Sequence, residues 1–290
     1  MTEILLAAVN GLTTGSVVFL VAAGLTLVFG IGGVLNFAHG AVFAIGAYVM
    51  LTVQGILGAG LSAFLASALI AVVAAGLVGL VAEVLIVRRM YPLRHEYMLL
   101  GTYALLLLLD GIVEQIWGPN PRSMTAPDEL RGAIDIGPVR VTVLSIFIIV
   151  MALLALGGLY WWMQRTSFGR VAKAAGYDRE ATQALGVNVP LVLTGVFVLG
   201  SVLAGVAGAV LAPNQAVYPA LGQLFIIQAF AAVVLGGLGS VLGSWLAAVF
   251  LGLADAMWFM FLPNVPQIGV YVALVVILIF RPTGLIGAKA

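Results

Sequence analysis

The chain has 290 residues, of which 63% are hydrophobic and 8% are charged, and its formal net charge is +1. Because soluble domains carry about 25% charged residues, this composition excludes a soluble protein and predicts an all-α, polytopic transmembrane helical bundle. At roughly 20 apolar residues per crossing, the chain has room for about 8–10 crossings and for no separate soluble domain. The absence of cysteine excludes disulfides, thiol catalysis and cysteine-based zinc sites.

Apolar runs follow one another along the whole chain, which we interpret as a single transmembrane domain covering residues 1–290. The first run has no basic segment before it, which predicts a retained first helix rather than a cleaved signal peptide. The run at 223–235 is short for a full crossing. We expect nine spans, at about 4–29, from the following break to about 53, and at 61–87, 97–117, 141–163, 189–211, 223–235, 241–262 and 268–280.

Lysine and arginine are concentrated in a few loops. None occurs in the first 82 residues or between Arg179 and Arg281, whereas the segments 88–94 and 165–179 are basic. The positive-inside rule places these two basic segments in the cytoplasm. Alternation then places the Pro- and Gly-rich loop 118–140 outside. With nine crossings, the C-terminal tail is cytoplasmic and the N-terminus is outside.

A polar segment of 24 residues, 165–188, stands between two apolar runs. Its residues predict two short helices. Ser167 is placed to cap the first, which Gly176 ends, and Asp178 is placed to cap the second, which Gly186 ends.

The second short helix, at about 179–185, places Ala181 and Leu185 on one face, with Ala184 beside them and charged residues around the rim. This pattern predicts a small knob outside the membrane, shaped for a groove on another protein. The alternative is an ordinary positively charged cytoplasmic loop.

Two glycine clusters interrupt apolar sequence, at 30–40 and at 235–243. Non-helical backbone at membrane depth persists where protein buries it or where water reaches it. Interrupted segments in the two halves of a chain are typical of a transport pathway. Alternatively, these glycines let helices pack closely, as we also expect for Gly11 with Gly15 and for the row Ala71, Ala75 and Gly79.

Polar and ionisable residues within spans are candidates for function because burying them in lipid is costly. Asp110 and Glu114 lie four residues apart on one helical face, where they could meet a substrate ammonium. Each candidate also has a structural alternative, such as a hydrogen bond across a packed interface, and Glu83 is expected to pair with Arg88. The candidates for the translocation pathway are Asn36, His39, Asp110, Glu114 and Asp255.

Catalytic motifs are missing from the sequence. Lys173 and Lys289 are the two lysines, and neither follows glycine or precedes Ser or Thr, so there is no Walker A loop. The two histidines, 39 and 95, predict no zinc site. We therefore expect no enzyme, no metal site and no cofactor in this chain.

Four motifs carry a resemblance to a known family: GGVLNFAHGAVFAIGAY (32–48), AAGYDREATQALGVN (174–188), AAVVLGGLGSVLGSWLAAVFLGLADA (231–256) and FRPTGLIG (280–287). In this order and over almost the whole chain, they resemble the branched-chain amino acid permeases of ABC importers. More specifically, the chain resembles the first of the two homologous permeases of the Liv-type system.

The resemblance implies a bacterial inner-membrane location with a periplasmic N-terminus, and four kinds of partner. These are a second homologous permease, two cytoplasmic ATPase subunits that bind ATP, a periplasmic substrate-binding protein and the lipid bilayer. The polar segment 165–188 departs from the EAA pattern of other importers, since Thr182 follows Ala181 and the glycine comes at 186. This is the Liv-type variant of the pattern. The resemblance implies an ATPase-coupling role for Gly176, Asp178, Arg179, Glu180, Ala181, Ala184, Leu185 and Gly186. For this reason we call residues 165–188 the coupling segment.

Other functions stay open at this point. Similar permeases serve urea, short amides or aromatic acids. An ion-coupled secondary transporter would also use broken helices, would need Asp110 or Asp255 for coupling, and would transport without partners. A scaffolding membrane subunit would move no solute.

Overall fold

The computed structural model describes residues 2–263 and 268–280. Asn264, the last seven residues of the FRPTGLIG motif and the C-terminal tail with Arg281 and Lys289 lie outside the described residues. The expectations for the tail therefore stay predictions.

Helices dominate the described part of the chain. A π-helical turn, Glu83–Val87, joins α3 to α4, and an antiparallel hairpin of β1 (Ala133–Ile136) and β2 (Val139–Thr142) lies next to α7. The helices are α1 (Thr2–Gly32), α2 (Ala38–Leu57), α3 (Leu61–Ala82), α4 (Arg88–Met90), α5 (His95–Trp117), α6 (Asp128–Arg131), α7 (Val143–Arg165), α8 (Ser167–Tyr177), α9 (Arg179–Ala184), α10 (Val189–Leu211), α11 (Leu221–Gly236), α12 (Val241–Phe261) and α13 (Ile268–Phe280).

Within the described ranges, seven helices are long and apolar enough to cross a membrane. Two more apolar helices, α11 and α13, have 16 and 13 residues, which is shorter than the roughly 20 residues of a full crossing. Each apolar run expected from the sequence is thus helical, and the structure confirms an all-α polytopic bundle.

The first helix break, residues 33–37, separates α1 from α2 as the sequence predicts. Gly33 has φ +66°, a left-handed conformation that favours glycine, and its N–H donates to the carbonyl of Phe29 at 2.8 Å. Gly33 thus terminates α1 within an apolar stretch. The helix stops at Gly32, and the chain changes direction before Ala38.

The second helix break, residues 237–240, separates α11 from α12. Gly237 and Gly239 have φ values of +95° and +87°. Ser240 caps α12, because its Oγ accepts a hydrogen bond from the Gly243 N–H at 3.1 Å. Both interruptions predicted from glycine clusters are therefore present.

The central helix of the bundle is α1, and glycines bring it against α12. A Cβ atom added to Gly15 would lie 2.7 Å from the Ala248 carbonyl oxygen, and one added to Gly11 would lie 2.8 Å from that of Gly252. No side chain larger than hydrogen fits at either position, which confirms close packing as the role of this pair.

The small-residue row of α3 packs in the same way against α10. Ala71 and Ala75 are fully buried, and a Cβ atom on Gly205 would lie 2.6 Å from the Ala75 Cβ. Gly79 faces Ser201. This row therefore holds two spans together.

Glu83 and Arg88 form an ion pair at the π-helical turn. The widened turn brings residues five apart into register. Arg88 Nη2 donates to Glu83 Oε2 at 3.0 Å and to Thr194 Oγ1 at 2.6 Å. The buried carboxylate of Glu83 is thus paired, as the sequence predicts, and the pair also ties α3 to α10.

Candidate coupling segment and translocation face

The first helix of the coupling segment, α8, begins one residue earlier than the sequence suggests. Thr166, not Ser167, is the cap, because its extended backbone (φ −88°, ψ 149°) brings Oγ1 within 3.0 Å of the Gly169 N–H. Gly176 does not end the helix, which continues to Tyr177. Both expectations are corrected by these observations.

Gly176 has a packing role instead. A Cβ atom at this position would lie 3.2 Å from the Gly30 carbonyl oxygen and 3.2 Å from the Ile31 Cα. Glycine thus lets the last turn of α8 rest on the end of α1, directly before the first helix break.

The second helix, α9, has the predicted boundaries to within one residue. Asp178 Oδ1 accepts a hydrogen bond from the Ala181 N–H at 2.9 Å, which caps the helix. The helix ends at Ala184, and Leu185 occupies the cap position. Gly186 follows with φ +83°, in the left-handed region.

Two large apolar side chains of the coupling segment point into solvent. Tyr177 is 93% exposed and Leu185 is 85% exposed, and Glu180, Ala181 and Ala184 are exposed around them. Exposure of this kind, on a short capped helix outside the bundle, is typical of a surface that another protein covers.

Arg179 points the other way, into the bundle. Its Nη2 donates a hydrogen bond to the backbone carbonyl of Gly32, the last residue of α1. Its guanidinium carbon also lies 6.0 Å from the ring centroid of Tyr91. Burial, and next the Glu83 carboxylate, raise the pKa of Tyr91, so this ring stays neutral at physiological pH.

The end of α1, next to the first break, meets the second break close to the coupling segment. A Cβ atom on Gly30 would lie 2.8 Å from the Gly239 Cα. A cavity of about 380 Å³ opens beside this contact, lined by α1, by the second break, and by Lys173 and Gly176 of α8. The coupling segment and both breaks therefore share one region of the molecule.

His39 lies within the packed interior. Its side chain is fully buried, and Nε2 is 3.1 Å from the carbonyl oxygen of Val21 on α1. A Cβ atom on Gly24 would lie 2.7 Å from the imidazole ring. His39 thus fills the space that Gly24 leaves, which is the structural alternative expected from the sequence.

Phe37, in the first break, packs against aromatic rings of two other helices. Phe37 lies between Tyr103 of α5 and Phe230 of α11, with ring-centroid distances of 6.0 Å and 5.9 Å. The neighbouring Asn36 is buried, and its Oδ1 has no hydrogen-bond partner among the described residues. The break is therefore continuous with the face formed by α5 and α11.

Asp110 lies on this same face. Its Oδ2 accepts a hydrogen bond from Gln223 Nε2 of α11 at 2.8 Å, and its other oxygen, Oδ1, is buried without a partner in the described part of the chain. Glu114 is exposed one turn further along α5. We call the α5–α11 surface with Asp110, Gln223, Phe37 and Tyr103 the translocation face.

Asp255 belongs to a different helix pair. Its carboxylate lies near the backbone of Val270 on α13, and its Oδ1 is buried without a hydrogen-bond partner among the described residues. A Cβ atom on Gly269 would lie 2.9 Å from the Asp255 Cα, so α12 and α13 are in close contact there. The structure therefore does not bring Asp255 together with Asp110 on one helix pair.

A multi-pass helical bundle with two helix breaks, and an exposed polar segment beside them, is typical of a membrane transport protein. The family model described as "Branched-chain amino acid transport system / permease component" matches residues 7–280, and the chain belongs to this family.

Curated relatives agree with this placement. The chain is 32% identical to the high-affinity branched-chain amino acid transport system permease protein BraD of Pseudomonas aeruginosa, over 96% of this chain and 94% of that protein. It is 29% identical to LivH of Escherichia coli K12, with the same description and coverage. A probable branched-chain amino acid transport permease, LivH of Methanocaldococcus jannaschii, is 27% identical over 82% of this chain and 76% of that protein.

Proposed function

We propose that the chain is the transmembrane permease subunit of an ABC importer that moves branched-chain or related amino acids into the cytoplasm. Partner subunits bind and hydrolyse the ATP. The names of the relatives, which describe branched-chain amino acid transport, support this substrate class. A second homologous permease completes the conduit, and a periplasmic binding protein delivers the substrate.

The observation that carries this proposal is the exposure of Leu185 and Tyr177 on the coupling segment. Apolar anchors in a small interface contribute most of its binding energy. An ATPase subunit with a groove for α9 would cover both side chains. The segment that the sequence predicts as a docking knob thus has the surface that docking requires.

The sidedness of the chain is supported by a contact between its two basic regions. Tyr91, in the loop after α4, lies beside Arg179 of the coupling segment. The two segments that the positive-inside rule assigns to the cytoplasm are therefore at the same end of the bundle. An ATPase on the cytoplasmic side would reach both.

The translocation face suits a zwitterion with an aliphatic side chain. Asp110 Oδ1 is a buried acceptor without a partner among the described residues, which an opened pathway would present to a substrate ammonium, and the rings of Phe37 and Tyr103 offer apolar contact. Many charged side chains are not needed along the path, because the periplasmic binding protein selects the substrate. We place the path along this face, between this chain and the second permease.

Leu185→Asp tests the coupling role. We expect at least a tenfold drop in ATP-driven leucine uptake by the reconstituted importer, with membrane insertion intact, because a carboxylate cannot enter an apolar groove without cost. Leu57→Asp is the matched control. Leu57 is also exposed and lies about 30 Å from the first break, at the far end of the 20-residue helix α2. Parent-level uptake by Leu185→Asp would remove the coupling proposal.

A further inference from the structure

Arg179 connects the coupling segment to the first helix break. It is the first residue of α9, its side chain is half-buried, and Nη2 donates to the Gly32 carbonyl. Among the described residues, this is the side-chain hydrogen bond that joins the coupling segment to a span that does not flank it, since the flanking helices are α7 and α10. It links positions 147 residues apart.

The electrostatics of this contact favour a cation. The carbonyl groups of the last turn of a helix have no partners within the helix, and they carry the negative end of its dipole. α1 is a helix of 31 residues that ends at Gly32 because Gly33 turns the chain. A guanidinium at this point therefore satisfies a free acceptor, and the Tyr91 ring holds it from another side.

The first break is connected onward to the translocation face. Thr102 of α5 donates a hydrogen bond to the Leu35 carbonyl at 3.2 Å, and Phe37 contacts Tyr103. The contacts run from α9 through Arg179 to Gly32, which adjoins residues 33–37, and from the break to the helix that carries Asp110. A shift of α9 would therefore act on the backbone at the start of the break.

We propose that Arg179 is a positioning residue that passes the movement of α9 to the first helix break, and through it to the translocation face. The inference rests on the proposed function, and it names the residue through which the coupling segment acts on the spans. Leu185 contacts the ATPase on the exposed side of α9, and Arg179 contacts the backbone next to the break on the buried side.

The test compares Arg179→Gln and Arg179→Lys with the control Arg170→Gln. Arg170 is an exposed arginine of the same segment whose Nη1 donates to the Arg165 carbonyl within the segment. The measurements on the reconstituted importer are ATP-driven uptake of radiolabelled leucine and ATP hydrolysis. Because the chain has no cysteine, a single Leu35→Cys change reports on the break through its rate of labelling by a water-soluble maleimide.

We expect Arg179→Gln to keep the ATPase subunits bound and to hydrolyse ATP within twofold of the parent rate. Leucine uptake per ATP should fall at least tenfold, and the ATP-dependent change in Leu35→Cys labelling should disappear. Arg179→Lys keeps a charge and a donor and should recover part of both signals. Arg170→Gln should behave like the parent.

Three results would overturn the inference: parent-level uptake by Arg179→Gln, an equal loss in Arg170→Gln, or release of the ATPase subunits by Arg179→Gln, which would place Arg179 in the docking surface. If Arg179→Gln does not fold, leucine uptake per ATP by Arg179→Lys is the test. A value below that of the parent supports the inference, and a parent-level value contradicts it. Failure of the proposed function looks different, since the parent importer itself would then show no ATP-driven uptake.

Discussion

Gly30 and Gly239 lie in direct backbone contact, so the end of α1 touches the second helix break. A Cβ atom on Gly30 would lie 2.8 Å from the Gly239 Cα. Side-chain atoms cannot come this close to a backbone without moving it. The helix that leads into the first interruption thus packs directly on the second.

Gly30→Ala should force the end of α1 away from the second break. Overpacking costs about 1–3 kcal/mol, which exceeds the gain of about 1 kcal/mol from the better helix propensity of alanine. We expect a lower midpoint of thermal unfolding in detergent and slower ATP-driven uptake. Gly157→Ala on α7 is the control, because a Cβ there meets no atom within 4 Å. A Gly30→Ala protein as stable and active as the parent would contradict the steric argument.

Arg88→Met should destabilise the protein more than Glu83→Gln does. Removing the arginine leaves the fully buried Glu83 carboxylate without its partner, and breaking a buried pair in this way costs about 3–5 kcal/mol. The side chain of Arg88 is 39% exposed, which places the expected loss at the lower end of that range. Glutamine at 83 still accepts a hydrogen bond from Arg88. Thermal unfolding in detergent measures both variants.

The ion pair of Arg94 and Glu96 is the control for that comparison. Its side chains are 80% and 71% exposed, and the closest atoms are 3.6 Å apart. Exposed pairs contribute about 0–1 kcal/mol, so Glu96→Gln should leave the unfolding midpoint nearly unchanged. If Glu96→Gln and Arg88→Met lowered the unfolding midpoint equally, burial of the ion pair would not be the cause of the destabilisation.

Asp110→Asn should weaken substrate binding on the translocation face. The amide keeps the shape of the side chain but removes the negative charge that would meet a substrate ammonium. Hydrogen bonds to charged groups contribute about 1.5–3 kcal/mol, so we expect the maximal rate of ATP-driven leucine uptake to fall roughly tenfold or more. The KM, which the binding protein sets, and complex assembly should be unchanged. A parent-level maximal rate would remove Asp110 from the path.

Asp255→Asn should change leucine uptake by less than twofold. The side chain lies at the contact between α12 and α13, away from the translocation face, and asparagine keeps its shape. An importer driven by ATP needs no proton carrier at this position. Loss of transport in Asp255→Asn, with transport by the chain without ATPase subunits, would instead indicate an ion-coupled carrier.

Local features of the sequence were enough to predict much of the architecture. Hydropathy located the helices, and the glycine clusters located both breaks, because a glycine in the left-handed region ends a helix wherever it lies. The Asp178 cap and the Gly186 stop of α9 were predicted for the same local reason. The cap of α8 was placed one residue too late, since Thr166 and Ser167 are both good caps and the backbone conformation selects between them.

Side-chain partners were harder to predict. The polar Gln223 at the edge of an apolar run was the available hint of a partner for Asp110, which is 113 residues away. Nothing in the pattern around Arg179 separates it from its exposed neighbours, and it was expected on the outer rim of α9. Its place against Gly32 depends on how α8 rests on the end of α1.

Local sequence was enough to predict a membrane-embedded helical bundle, the ends of its helices and the segment that stands outside the bundle, because these properties follow from residues near one another in the chain. The three-dimensional structure was needed to show that the end of α1 touches the second break, that Leu185 faces out while Arg179 faces in, and that Asp110 meets α11 while Asp255 meets α13. Those relationships depend on helix packing between distant residues, set by which glycines allow two backbones to approach.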